Sequence, residues 1–158
     1  MSDKSQNSAP ARGRLFAARL CVRDLMSTNL HTLSPNDTLQ DLADLLDRHH
    51  VRHAPIVDKQ FNLVGLVTHR DLLRYSKPEA GNACASWESM AIKEVMQDSK
   101  FFQVRAISPE TSARSAAIQI CENKIGCLPV TDPQGKLVGI LTEGDFVKFF
   151  ADGEGPKS

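Results

Sequence analysis

The chain repeats itself, and a duplicated unit restricts the fold more than any composition can. Sliding the sequence by 74 positions places Pro35 on Pro109, Ala43 on Ala117, Pro55 on Pro129 and Asp58 on Asp132. Leu63-Val64-Gly65 then falls on Leu137-Val138-Gly139, Thr68 on Thr142 and Asp71 on Asp145. The register runs without a gap from Pro35 to Leu73, over apolar positions as well as identical ones. Asp24-Leu25-Met26 resembles Glu94-Val95-Met96 at a different offset, so the second copy has a longer lead-in. Two copies of one supersecondary unit are present.

Each copy predicts the same order of elements. Pro35 and Pro109 end an extended lead-in, because proline biases the preceding residue away from helix. Leu39, Leu42, Ala43 and Leu46 then recur at helical spacing, as do Ala113, Ala116, Ala117 and Ile120. Short runs with an internal proline follow, Ala54 to Val57 and Leu128 to Thr131, which suits an edge strand or a position needing no donor. Turn residues come next, Asp58-Lys59-Gln60 and Asp132-Pro133-Gln134-Gly135. Leu63 to Val67 and Leu137 to Leu141 read as buried strands broken by one glycine, a site of close backbone approach. A second helix begins at Asp71-Leu72-Leu73 and Asp145-Phe146-Val147. The fold class is α/β, two pseudo-symmetric β-α-β-β-α repeats. The expected division is a polar tail over 1–14, a first repeat with a preceding helix over 15–76, a linker over 77–91, a second repeat over 92–151 and a tail over 152–158.

Composition enters by what it excludes. The 158 residues carry 19 Lys plus Arg against 19 Asp plus Glu, a formal net charge of zero, so the basic footprint of a nucleic-acid binder is missing. No apolar run is long enough to span a bilayer and no secretory pattern opens the chain. Cys21, Cys84, Cys121 and Cys127 have no C-x-x-C spacing, and free thiols in a reducing, cytoplasmic compartment are expected. Arg12, Arg14, Arg19 and Arg23 lie among Leu15, Phe16, Leu20 and Val22 with no acid between them. A helix packing at a domain edge is the plainer reading, a transit or membrane-surface segment the other.

At V-R-H-A-P-I-V-D with L-V-G-L-V-T-H-R-D-L-L, and their counterparts G-C-L-P-V-T-D with L-V-G-I-L-T-E-G-D-F-V, the sequence resembles CBS domains. These occur in tandem pairs known as Bateman modules, and the resemblance covers roughly Val22 to Phe150. It implies a regulatory binding module for AMP, ADP, ATP or S-adenosylmethionine. The ligand sites would lie in clefts between the halves, and the module would form a homodimer that signals to a separate, unidentified protein.

The T-x-x-D pairs, Thr68 with Asp71 and Thr142 with Asp145, each follow a strand and open a helix. A phosphate placed there meets free N–H groups and the positive end of the helix dipole. An aspartate one turn in can accept ribose hydroxyls, as an acidic residue does in dinucleotide folds. The same spacing also makes a capping box, with no ligand required. The copies differ between these residues: His69 and Arg70 in the first, Glu143 and Gly144 in the second. By the resemblance, basic residues matching Arg52, His53 and Arg70 contact phosphates, and arginine suits phosphate oxygens through its forked donors. The Asp71 cleft is therefore expected to accept the phosphate, with adenine against Ile125 and Cys127. The Asp145 cleft would present Val51 and His53 to the base. It is expected to lack cations, and so to take an uncharged adenosyl group or stay empty.

Two other readings compete: a dimerisation or interaction module with vestigial sites, and a metal or pH switch built on His49, His50 and His53. No nucleophile elbow, zinc-protease helix or Walker loop is present, so neither catalysis nor a metal centre is expected. Cys121 and Cys127 read as small core residues. No output domain is recognisable in the sequence, so the regulated protein is expected to be a separate chain.

Overall fold

The computed structural model describes residues 20–76, 87–98 and 104–152. The first repeat begins with α1 (Leu39–His49), which Thr38 starts by accepting from the Asp41 N–H while its own N–H donates to the Asp41 carboxylate. Leu39, Leu42 and Leu46 form the buried stripe of α1. In the second repeat α4 (Ala113–Asn123) is capped by Ser112 and buries Ala113, Ala116 and Ile120 at the same spacing. Both helices stop at a left-handed residue, His50 (φ 52°) and Lys124 (φ 52°).

Two antiparallel hairpins follow in matching register. β1 (His53–Val57) pairs with β2 (Leu63–Thr68), and β3 (Cys127–Thr131) pairs with β4 (Leu137–Thr142). Each slips by one residue near its turn, at Ile56/Val57 and at Val130/Thr131. The turns are closed by aspartate: Asp58 accepts from the Gln60 and Asn62 N–H groups, Asp132 from those of Gln134 and Lys136. Phe61 (φ 67°) occupies the place that Gly135 (φ 85°) fills in the second copy. The two turns also pair with each other, Leu63 N–H to Gly135 O at 3.1 Å and Leu137 N–H to Phe61 O at 3.1 Å. Each hairpin runs straight into a helix, α2 (His69–Tyr75) or α5 (Glu143–Asp152).

The expected leading strands contract to single parallel bridges, Leu33 beside Ile56 and Ile107 beside Val130. The prolines explain why. Within a strand, a residue's N–H and C=O point to the same edge. Pro55 and Val57 face the lead-in: Leu33 N–H donates to Pro55 O (3.1 Å) and accepts, through its carbonyl, from Val57 N–H (2.9 Å). Pro55 offers no further donor on that side, and Pro129 repeats the arrangement with Ile107 and Thr131.

The segments ahead of the two repeats cross over. Leu20 to Ser27, including a 3-10 turn at Val22–Asp24, packs on the second repeat: Val22 is fully buried with Ile107, Ala116, Leu128 and Leu141. Ser27 and Ile140 exchange both backbone hydrogen bonds (2.9 and 3.0 Å). The segment from Trp87 through α3 (Ile92–Asp98) packs instead on the first repeat, with Ile92 and Val95 buried against Leu39, Leu42, Ile56 and Val67. Thus the short helix placed ahead of the second repeat in chain order completes the first repeat's core, and the residues ahead of the first complete the second. Both strand glycines now have a cause. A Cβ on Gly65 would lie 2.6 Å from Met96 Cε, and one on Gly139 would collide with the Met26 side chain. Residues 1–14 and 153–158 of the expected tails, 15–19 of the preceding helix and 77–86 of the linker lie outside the described residues, while Asp152, expected to open the tail, ends α5.

Candidate functional site

Because each hairpin delivers its helix toward the other repeat, two clefts form between the copies. The larger, about 1020 Å³, takes Thr68, His69, Arg70, Asp71 and Arg74 from the end of β2 and from α2, with Arg52 and His53 ahead of and at the start of β1. The second repeat contributes Arg105, Asn123 to Cys127 and Glu143. The seven residues expected at a main cleft, Arg52, His53, Thr68, Arg70, Asp71, Ile125 and Cys127, all line this one. The smaller cleft, about 360 Å³, is lined by Thr142, Asp145, Val51 and His53, the four expected there.

Both T-x-x-D pairs tie the threonine at the helix start to the aspartate carboxylate, and Thr68 with Asp71 closes a full capping box. Thr68 N–H and Oγ1 donate to Asp71 Oδ2 (2.9 and 2.7 Å), and Asp71 N–H donates back to Thr68 Oγ1 (3.4 Å). Thr142 N–H and Oγ1 donate to Asp145 Oδ2 in the same way, both at 2.7 Å. The second oxygens differ. Asp145 Oδ1 accepts from Ser27 Oγ at 3.2 Å, whereas Asp71 Oδ1 has no recorded partner among the described residues. Thr38 and Asp41 make a third such cap away from either cleft, so the spacing by itself encodes a helix start.

Charge is unevenly shared. The large cleft gathers Arg52, Arg70, Arg74, Arg105 and Lys124 against Asp71 and Glu143. Arg74 lies one helical turn beyond Arg70 and was legible from that spacing. Arg105 and Lys124 come from the other copy, which chain proximity does not signal. The small cleft does not lack cations, contrary to expectation: Arg52 borders both clefts, and His31 and His50 line the smaller. Arg52 and His50 come from the first repeat itself, flanking the expected Val51, and the lead-in that carries Ser27 to His31 to the cleft rim adds His31.

His53 stands between the clefts, its ring against Gly126, where a Cβ would lie 2.9 Å from His53 Nε2. Burial pushes its imidazole below the ordinary histidine range, the adjacent Arg52 adds to this, and Glu143 opposes it. Cys127 is buried, and the loss of solvent pushes its thiol up to about 12, leaving it an uncharged wall. Cys121 is exposed rather than part of the core. The His49 ring stacks on His31 (centroids 3.6 Å apart, 15° between planes), and His50 and His53 line the small cleft. Among the described residues no group of three or more His, Cys, Asp or Glu is arranged to hold a metal, and no helix is long and apolar enough to cross a membrane.

The family model described as CBS domain matches residues 22–78 and 92–152. The CBS domain-containing protein YhcV of Bacillus subtilis is 32% identical over 124 residues, covering 78% of this chain and 81% of YhcV. Inosine-5'-monophosphate dehydrogenase of Bifidobacterium longum is also 32% identical over 124 residues, but the chain spans 21% of its length. Among solved structures, CBSX2 of Arabidopsis thaliana in complex with AMP superposes with a TM-score of 0.71 at 28% identity, covering 84% of this chain and 97% of that one. The CBS domain pair of protein MJ0100, in complex with 5-methylthioadenosine and S-adenosyl-L-methionine, gives 0.69 at 27% identity, covering 85% and 98%. With two tandem copies matched, the same hairpin-and-helix architecture in each, and a cleft on either side of their junction, this chain belongs to the CBS-domain family as a paired, Bateman-type module.

Proposed function

We propose that this chain is a regulatory, non-catalytic module that binds an adenosine nucleotide (AMP, ADP, ATP or S-adenosylmethionine), chiefly in the Asp71 cleft. The observation that carries this reading is that Asp71, whose Oδ1 has no partner among the described residues, lines one cleft with Arg52, Arg70, Arg74, Arg105 and Lys124. Asp71 Oδ2 is spent on the cap, while Oδ1 is left to accept ribose hydroxyls. Arg52 and Arg70 stand on the same wall to receive phosphate, and Ile125 with Cys127 supplies an apolar face for adenine. The AMP held by CBSX2 and the adenosine compounds held by MJ0100 support the ligand class.

A ligand so held touches both repeats and stabilises one relative packing of them, which a partner protein reads as a shift in population. The active form is a homodimer in the cytoplasm. α5 presents Val147 (68% exposed) and Phe150 (76% exposed) on its outer surface, apolar side chains that favour self-association. That surface also favours the second reading, a dimerisation module indifferent to nucleotide.

The test is a thermal shift with AMP and S-adenosylmethionine on wild type, Asp71→Asn and Asp41→Asn. A ligand at a hundred times its Kd adds about 2.7 kcal/mol, and each kcal/mol raises Tm by about 2–4 °C in a domain of this size. Wild type and Asp41→Asn, whose cap lies outside the cleft, should shift alike, and Asp71→Asn should not shift. Equal shifts in all three would move the site elsewhere. Silence in all three would leave the interaction module.

A further inference from the structure

The two residues that end α1 and α4 are chosen against the backbone. His50 and Lys124 occupy equivalent positions 74 residues apart, both at φ 52°, where glycine is the residue without a steric cost. Side chains held in such conformations cluster at functional sites. Here each lines a cleft: Lys124 the large one, His50 the small one. The large cleft thus has a permanent cation at this place and the small cleft a titratable one.

The groups facing the small cleft come from four places. Arg52 and His53 stand at the approach to β1, Asp145 near the start of α5, His31 on the lead-in, and His50 at the end of α1. Above neutral pH the Arg52 and Asp145 charges offset each other, and Asp145 is occupied on both oxygens by Thr142 and Ser27. Histidine changes charge between about pH 5 and 8. Two imidazoles are held toward the neutral form. One is His49, by desolvation and then by His31, Arg48 and His50; the other is His53, by burial and Arg52, with Glu143 opposing. His31 and His50 both line the cleft together with Val51 and Arg52, and the His31 ring stacks on His49, the neighbour of His50.

We infer that the small cleft is a proton-gated anion site, which accepts a phosphate-bearing adenosine only when His50 and His31 are protonated. This rests on the reading of the clefts as nucleotide sites. The large cleft holds its nucleotide on arginine and lysine at any physiological pH. The small cleft joins it on acidification, so the number of nucleotides per chain reports pH.

Calorimetric titration of the full chain with AMP, at pH 6.5 and 8.0 in buffers of different ionisation enthalpy, tests this. At pH 8.0 one event per chain is expected. At pH 6.5 a second appears, on the order of tenfold tighter than any trace of it at pH 8.0 and coupled to proton uptake, which is what two histidines supply when each gains about one unit of pKa on binding. The phosphate itself gains a proton near pH 6, a change that opposes the effect at both clefts. His50→Gly suits the left-handed backbone and so should fold; it is expected to retain the first event and lose the second. His31→Phe, which keeps a ring against His49, should weaken the second event alone. The inference is overturned by a first event with no second at pH 6.5, by a second event of equal strength at both pH values, or by an unchanged second event in His50→Gly. Absence of both events would instead overturn the nucleotide reading.

Discussion

At the scale of the residue, the same three atoms serve two purposes at Asp71 and one at Asp41. A Thr-x-x-Asp box satisfies orphan donors at a helix start wherever it occurs. What distinguishes Asp71 from Asp41 is its place in the lining of a cleft that also holds Arg52, Arg70, Arg74 and Arg105. His53 carries a separate prediction. Its imidazole is lowered by burial and by Arg52, so the unfolded chain binds that proton more readily than the folded one. Stability therefore rises with pH through the window below histidine's ordinary value of about 6.5, and is lost as pH falls through it. Tm should be lower at about pH 5.5 than at about pH 7.5, and His53→Gln should flatten part of that slope. An unchanged slope would assign the acid sensitivity to other groups.

At the scale of the element, the hairpins are shaped by residues with something missing. Pro55 and Pro129 withhold a donor and confine the lead-in to one bridge. Gly65 and Gly139 withhold a side chain and admit Met96 and Met26. Gly65→Ala should cost about 1 kcal/mol, at the low end for overpacking, because the atom it meets is the flexible end of a methionine. The same substitution in a Met96→Ala background should cost less than it does alone, measured by urea unfolding. Additive costs would mean that Met96 is not what the glycine accommodates.

At the scale of the molecule, the crossover of lead-ins binds the repeats into one unit. Neither hairpin-and-helix core is complete without a segment that chain order assigns to the other. Ile92 is fully buried in the first repeat although it follows the linker. Ile92→Ala should cost about 2–5 kcal/mol, as buried Ile-to-Ala truncations do. Its amide exchange should rise first in α1 and β1, which precede it in the chain and lie across the linker, rather than in α4 and β3. Faster exchange confined to the second repeat would refute the crossover. The arrangement also links the clefts to the lead-ins, since Ser27 touches Asp145 directly.

Periodicity, prolines, turn aspartates and the 74-residue repeat were enough to name the elements, because those signals are local and each copy confirms the other. The two clefts were legible as well. Arg70, Thr68 and Asp71 are neighbours in sequence, and the resemblance to CBS domains implies Ile125 and Cys127 of the opposite copy beside them. Three things were not legible: which core each lead-in closes, which distant cations join a cleft, and that His31 and His50 join His53 at the small cleft. These depend on where chain segments cross in space. Met26 and Met96 fit either glycine by their chemistry, and only the packing of the whole molecule chooses between them.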